Sequence, residues 1–314
     1  MAMSITPRST APVVLATDGT PASDGALRYA AQQARMRGAE LRILHVMPMA
    51  VPVPPLRPAE PTDLEPYARN VVSRAAKEAR DLAPGLTVST MLAHGGRVRA
   101  IVDGSADAQL VVVGRETSHG LERLLTGATT AGVASHAGCP VVVVPADWRP
   151  RDDAEGRGTV VVGIRRPDDA SHVMAAAYEQ AVSLGATITV IHSWEMIDPY
   201  LDRIEARTHG DEWQALGEQL LDEALGPWRD QYPHLSIEPR VVHGHAASVL
   251  VAAAKAADLV VVRRAHEHRP FDHLGATVRA LLLASPAPVE VVPARIGSLP
   301  HRNVVSRKSG GAAT

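Results

Sequence analysis

Apolar and polar positions along the chain predict short buried strands that alternate with helices. The clearest unit spans residues 107–147, where a strand, a polar loop, a helix and a second strand follow one another. Both strands are apolar runs, rich in valine and too short for a helix, which is typical of strands covered on both faces of a parallel sheet. Gly114 ends the first strand, Gly127 opens the helical segment predicted over 129–136, and Pro140 starts the second strand.

The polar loop that follows Gly114 has two interpretations. Backbone N–H groups at the junction of a loop and a helix N-terminus form a natural cradle for an anion. An ordinary βαβ turn also uses glycine, because glycine permits tight geometry. This stretch alone slightly favours the ordinary turn.

The remainder of the first half has the same plan. Strands are predicted at 13–17, 41–46 and 86–93, and helices between Thr20 and Gly38, at 63–82 and at 97–105. Strands that alternate with helices imply a parallel, doubly wound, Rossmann-like sheet with right-handed crossovers. Because ligands bind such sheets beyond the carboxyl ends of the strands, we expect Asp18, the end of the second strand, His94 and Gly114 to converge.

The whole plan recurs after a charged linker at 146–157. Gln33 matches Gln180 and His45 matches His192, with the same spacing of 147 residues. A repeat of this size indicates a duplicated domain and not a solenoid. We therefore predict two tandem α/β domains, each with a doubly wound sheet of five parallel strands, and a disordered tail, at 1–150, 151–297 and 298–314.

Composition and charge argue against nucleic-acid binding, a membrane span and secretion. The net charge of -2 gives no basic surplus for nucleic acid, and no apolar run approaches the length that spans a membrane. The N-terminus lacks the apolar core of a signal peptide. The single cysteine, Cys139, excludes an intrachain disulfide and favours a reducing, cytoplasmic location, and an inert buried thiol is the favoured interpretation. Association of whole chains into a homo-oligomer is left open.

Several short motifs together resemble the universal stress protein family. They are Asp18-Gly-Thr-Pro-x-Ser after the first strand, Leu-His-Val at 44–46, His94-Gly95, VVVGR at 111–115 and CPVVVVP at 139–145. The resemblance covers nearly the whole chain twice and indicates a tandem member. It implies a five-stranded parallel fold, a stress-response role, and, in some members, ATP binding. It also implies an intramolecular pseudo-dimer in which strands 141–144 and 289–292 pair across a two-fold axis.

The ATP-binding members of that family carry Gly-x-x-Gly, nine residues, then Gly-Ser or Gly-Thr. Gly114 and Gly127 match the first and third glycines, whereas Thr117 replaces the second glycine and Ala128 replaces the hydroxyl residue. A side chain at 117 adds strain on the order of 1 kcal/mol if the loop needs a positive φ. The resemblance thus implies weakened ATP binding in the first domain. It also implies that Asp18 contacts the adenosine moiety and that Val46 lies near the base. The full candidate set is Thr17, Asp18, Val46, Gly114, Arg115, Thr117, Gly127, Ala128, Thr129 and Thr130.

The second half departs further from this signature. Arg165 replaces Asp18, Arg263 replaces Gly114, and Gly275 alone survives. A decayed copy kept as a structural partner is the favoured interpretation. The alternative is an anion site built by the arginine pairs 165–166 and 263–264.

Histidines in the second half raise the question of a metal. His-x-His side chains share a face only in an extended backbone, and no cysteine or ordered carboxylate accompanies them. Solvated loop histidines are therefore favoured over a metal site. The histidines concerned are His243, His245, His266, His268 and His273.

Three functions follow from these patterns. The leading one is a stress-response protein that binds ATP weakly in its first domain and catalyses no reaction. The alternatives are a structural interaction module that has lost nucleotide binding, and an ATP-hydrolysing enzyme of related fold. No Walker lysine motif, dinucleotide fingerprint, serine elbow or catalytic carboxylate pair is present, so we predict that the protein is not an enzyme.

Overall fold

The computed structural model describes residues 10–47, 61–115, 122–151, 158–264 and 274–293. In the first domain the elements are β1 (Val13–Ala16), α1 (Asp24–Arg37), β2 (Leu41–Met47), α2 (Pro61–Leu82), β3 (Val88–His94), α3 (Arg97–Gly104), β4 (Leu110–Arg115), α4 (Glu122–His136) and β5 (Val141–Pro145). In the second domain they are β6 (Thr159–Gly163), α5 (Ala170–Leu184), β7 (Thr187–Trp194), α6 (Pro199–Thr208), α7 (Gly210–Gln231), β8 (Ile237–His243), α8 (Ala246–Ala253), β9 (Leu259–Arg263), α9 (Ala276–Ala284) and β10 (Val289–Val292). A short 3-10 turn precedes α1 at Pro21–Ser23, and another precedes α5 at Pro167–Asp169.

The strands form one ten-stranded sheet in the order β3-β2-β1-β4-β5-β10-β9-β6-β7-β8. Pairing is parallel within each domain and antiparallel between β5 and β10. The predicted fold, two tandem doubly wound α/β domains, is confirmed. The edge strands β3 and β8 are partly exposed, as the alternating pattern of residues 86–93 indicates.

The valine-rich strands are buried on both faces, as their continuous apolar runs predict. One face packs against α1, α2, α5 and α7, and the other against α3, α4, α8 and α9. The predicted stop of α1 is also confirmed, because Gly38 adopts φ 61° at its C-terminus, and Gly185 repeats this at the end of α5 with φ 60°.

The predicted pseudo-dimer pairing is present at the centre of the sheet. Val142 of β5 lies directly opposite Glu290 of β10. Behind the sheet, Gln33 of α1 and Gln180 of α5 exchange two buried amide hydrogen bonds of 3.0 Å and 2.8 Å. These glutamines are equivalent residues of the two domains, so the axis that relates the domains runs between them.

Two arginines join the domains reciprocally. Arg264, which follows β9, donates to the carbonyl oxygens of Ser135 at 2.8 Å and Ala137 at 3.0 Å, at the C-terminal end of α4. Arg115, at the matching end of β4, donates to the carbonyl of Ser285 at the end of α9. Each guanidinium thus satisfies carbonyl groups that a helix end leaves without an intrahelical partner.

Two expectations were wrong or incomplete. The helix expected to open at Gly127 begins at Glu122, so Gly127 lies inside α4 and not at its start. The second domain has an additional helix, α6, which contributes no buried residue. The domain boundaries at 150 and 151 stay a prediction, and the tail predicted at 298–314 lies outside the described residues.

Candidate functional site

The carboxyl ends of β1, β2 and β4 meet at the centre of the first domain. Ala16, the last residue of β1, is paired with Leu44 of β2 on one side and with Val113 of β4 on the other. The chain passes from β1 to β2 in one direction and returns to β4 on the opposite side. This is the switch point of a doubly wound sheet, where ligands bind. The strand ends that precede Asp18 and carry Gly114 meet there, whereas His94 ends β3, on the far side of β2.

Asp18 organises the turn that follows β1. Its Oδ1 accepts hydrogen bonds from the Thr20 backbone N–H at 3.0 Å, the Thr20 hydroxyl at 2.7 Å and the Ser23 hydroxyl at 2.9 Å. Burial opposes ionisation, but these hydrogen bonds outweigh it and lower the pKa of Asp18 below its ordinary value. The carboxylate is therefore ionised at neutral pH, and Oδ2 accepts none of the three bonds.

The residues on either side of Asp18 hold the turn to the sheet. Buried Thr17 accepts a hydrogen bond from the Gly19 N–H at 3.1 Å through its hydroxyl. Its carbonyl lies 2.8 Å from Nδ1 of His45, which must carry the proton because a carbonyl only accepts. Gly19 has φ 80°, a conformation that suits glycine. Val46, next to His45 in β2, is half-buried and packs against the apolar core on the sheet face that α3 and α4 cover.

Gly114 is required by the packing of the first domain itself. A Cβ at this position would lie 2.4 Å from the carbonyl oxygen of Ala22 and 3.0 Å from Cα of Ser23. Strand β4 therefore lies directly against the 3-10 turn that carries the partners of Asp18. The resemblance matched Gly114 to the first glycine of the ATP-binding signature, and the structure gives this glycine a role in positioning that turn.

The other candidates are distributed between helix α4 and the domain interface. Ala128 is exposed, Thr129 is half-buried and Thr130 is buried. With Gly127 they lie beyond the first four residues of α4, so their backbone N–H groups point into the hydrogen-bonded ladder of the helix. Arg115 contacts Ser285 of the second domain. Thr117 lies outside the described residues.

The equivalent turn in the second domain has a different backbone. Arg166 stands where Gly19 stands in the first domain, and it adopts an extended conformation with φ -141°. Arg263, in place of Gly114, forms a mostly buried ion pair with Asp169 of the 3-10 turn. Both turns pack against the helix that follows them, but the second-domain turn also packs against α7, whereas its counterpart in the first domain also packs against β4.

A cavity of about 600 Å³ lies at the carboxyl ends of the strands of the second domain. Its lining includes both arginine pairs that the sequence singled out: Arg165, Arg166, Arg263 and Arg264. Sequence reasoning identified these arginines but missed Asp169. The position of Asp169 immediately before α5, the helix that matches α1, was the available signal.

The histidines do not form a metal centre within the described ranges. His243 Nε2 lies 3.0 Å from Asp202 of α6, and its ring packs against Trp194. His245 lies 3.8 Å from Glu195. His266, His268 and His273 lie outside the part of the chain that the structure describes.

Cys139 matches the interpretation as an inert thiol. The side chain is buried, and burial raises the pKa of its thiol to about 11. Because the thiolate is the reactive form, this cysteine is a poor nucleophile at neutral pH.

Comparison with known proteins identifies the family. The universal stress protein family model matches residues 10–145 and again residues 156–293. A universal stress protein of Mycolicibacterium smegmatis is 31% identical over 259 residues, covering 80% of this chain and 85% of that protein. Universal stress protein Rv1996 of Mycobacterium tuberculosis is 28% identical over 301 residues, covering 89% and 94%. The chain belongs to the universal stress protein family, and its stress-response role is that of the family.

A solved structure agrees in fold over both domains. The crystal structure of a universal stress protein from Archaeoglobus fulgidus covers 90% of this chain and 96% of that one, with a TM-score of 0.64 and 17% sequence identity. Among the described residues, no helix has the length and apolar character needed to cross a membrane.

Proposed function

We propose that this protein binds ATP weakly in its first domain and acts by binding and not by catalysis. The observation that carries this proposal is the state of Asp18. Its carboxylate is ionised, fixed through Oδ1 by Thr20 and Ser23, and located at the switch point between β1 and β4. Oδ2 supplies an acceptor for ribose hydroxyl groups, which can donate to a carboxylate.

The phosphates are proposed to lie towards Gly127, Thr129 and Thr130. Their backbone N–H groups belong to the ladder of α4, so phosphate binding by these groups requires the first turns of that helix to open. Opening replaces intrahelical hydrogen bonds with bonds to phosphate, so part of the binding free energy is consumed. Weak affinity follows from this cost as well as from Ala128, which lacks a hydroxyl.

The test is calorimetric titration of ATP into the full chain and into the Asp18→Asn variant. Asparagine keeps a carbonyl oxygen for the bonds from Thr20 and Ser23 but replaces the other oxygen with an NH₂ donor. We expect the affinity to fall at least about tenfold, the loss of one charged hydrogen bond of about 1.5–3 kcal/mol. Asp81→Asn, an exposed carboxylate at the end of α2, is the matched control. Equal affinity in wild type and Asp18→Asn would refute the site.

Absence of catalysis is tested separately. Prolonged incubation of the purified protein with ATP should yield neither ADP nor AMP above a protein-free control. If ATP hydrolysis remains with the protein through purification and is lost in Asp18→Asn, the ATP-hydrolysing enzyme of related fold would be favoured.

The second candidate is a structural interaction module without nucleotide. One observation favours it: α4 already satisfies the N–H groups that phosphate would need. No heat of binding at saturating ATP in wild type would select this function. We also propose a cytoplasmic location, which the single buried cysteine supports and cell fractionation tests.

A further inference from the structure

The cavity of the second domain has an apolar interior and a cationic mouth. It extends between the carboxyl ends of β6, β7 and β9 and the start of α9, with a volume of about 600 Å³. Aliphatic side chains line its interior: Ile164, Ile191, Leu250, Val262, Leu274 and Val278. A volume of this size is within the range of small-molecule sites.

Among the residues that the structure describes, the charged side chains that line the cavity leave a positive excess. Arg165 and Arg166 are exposed and form no ion pair with any residue in the described ranges. Asp169 is balanced by Arg263. Arg264 also lines the cavity while it donates to the C-terminal carbonyls of α4. The cavity therefore attracts a negatively charged ligand.

The start of α9 also favours a negatively charged ligand in the cavity. Gly275, Ala276 and Thr277 line the cavity, and α9 is a nine-residue helix whose first N–H groups have no intrahelical acceptor. In the first domain the equivalent residues lie inside α4. The second domain thus presents a helix N-terminus where the first domain presents a helix interior.

Two substitutions at the strand ends change the turn beside the cavity. Arg263 carries a side chain where Gly114 has none, so the 3-10 turn cannot lie against β9 as its counterpart lies against β4. Arg166 cannot readily adopt the positive φ of Gly19 and takes an extended backbone. The turn of the second domain packs against α7 and is held to β9 by the Asp169–Arg263 ion pair.

We propose that this cavity binds a small organic anion with an apolar body and one phosphate or carboxylate group. The aliphatic interior accommodates the body, while Arg165 and Arg166 hold the anionic group beside the first N–H groups of α9. Adenine nucleotides are not the preferred ligands. Arg165 occupies the position of Asp18, and a guanidinium donates hydrogen bonds but cannot accept one from a ribose hydroxyl.

The test uses phenyl phosphate as the probe, with benzyl alcohol as the neutral analogue and inorganic phosphate as the anion without an apolar body. Methyl-labelled full-length protein is titrated with each compound, and the shifts of the Ile164, Ile191 and Leu250 methyl groups are followed by NMR. Phenyl phosphate should shift these signals at millimolar or lower concentration. The other two compounds should bind at least about tenfold more weakly, because each lacks one of the two contributions.

The decisive variant is Arg165→Ala/Arg166→Ala, which removes two exposed charges from the mouth. It should weaken phenyl phosphate binding at least about tenfold. Arg203→Ala/Arg207→Ala, on α6 in the same domain, removes the same charge from residues that do not line the cavity and should leave the affinity unchanged.

Several results would overturn the proposal. They are an unchanged affinity in the first double variant, equal loss in the control variant, equal binding of benzyl alcohol or inorganic phosphate, and no shift with phenyl phosphate. ATP binding in the first domain is a separate matter, because Asp18→Asn should leave phenyl phosphate binding intact. The two experiments can therefore refute the ATP site of the first domain and the anion site of the second domain independently of each other.

Discussion

Glu290 should make the stability of the protein depend on pH through the domain interface. It lies in β10 opposite Val142, with 2% of its surface exposed. Neither its Oε2 nor the hydroxyl of Tyr29 has a hydrogen-bond partner among the residues that the structure describes. Burial raises the pKa of Glu290 from an ordinary 4.5 to about 7; the positive charge of Arg37 opposes this shift and the negative charge of Glu179 adds to it.

The sign and size of the effect follow from this pKa. The folded state holds the proton more tightly than the unfolded state, so the resulting stabilisation is complete below pH 4.5 and is lost as the pH rises through about 7. At about 1.4 kcal/mol per pKa unit, the loss across this window is about 3 kcal/mol. Glu290→Gln keeps the shape of the side chain and cannot ionise, so it should remove this contribution to the pH dependence.

The measurement is the free energy of unfolding in urea, from about pH 4 to about pH 8. At the acid end the variant should match wild type, and at the alkaline end it should be more stable by about 3 kcal/mol. Glu223→Gln removes an exposed carboxyl and should follow wild type throughout. If Glu290→Gln and wild type show parallel pH dependence, the buried carboxyl is not the cause and the reasoning fails.

Two further predictions concern the close packing at Gly114 and the buried amide pair of Gln33 and Gln180. Gly114→Ala should lower the free energy of unfolding by about 1–3 kcal/mol and weaken ATP binding, because a Cβ would lie 2.4 Å from the carbonyl of Ala22. Gly138→Ala, where a Cβ meets no atom within 4 Å, is the control, and equal stability of the two variants in thermal unfolding would contradict the prediction. Gln33→Leu and Gln180→Leu should each cost about 1–3 kcal/mol by leaving the other amide buried without its partner. The double variant should cost less than the two single costs together, and strict additivity in urea unfolding would show that the pair is not coupled.

The sequence predicted the fold well because its signals are local. Valine-rich runs of strand length define the central strands, and Gly38 and Gly185 end α1 and α5 with positive φ values. The spacing of 147 residues between Gln33 and Gln180 revealed the duplication. Such features depend on neighbouring residues or on the comparison of one half with the other.

The candidate site was harder to predict because its geometry depends on distant contacts. Gly127 was predicted to open a helical segment, yet α4 begins at Glu122 and extends through it, although glycine inside a helix costs about 1 kcal/mol. The contact of Gly114 with Ala22 and that of Arg115 with Ser285 join residues far apart in the chain. Neither contact leaves a periodic or compositional signal.

The antiparallel pairing of β5 and β10 also shows what covalent fusion of the two domains permits. In a homodimer, every residue on the two-fold axis faces its own copy, so a carboxylate at the position of Glu290 would face a second carboxylate and repel it. In this chain the two positions on the axis are encoded separately, and Glu290 faces Val142 instead. Gln33 and Gln180 remain identical across the same axis, where self-pairing of amides is favourable. Duplication within one gene product has therefore allowed one axis to carry both a symmetric and an asymmetric contact.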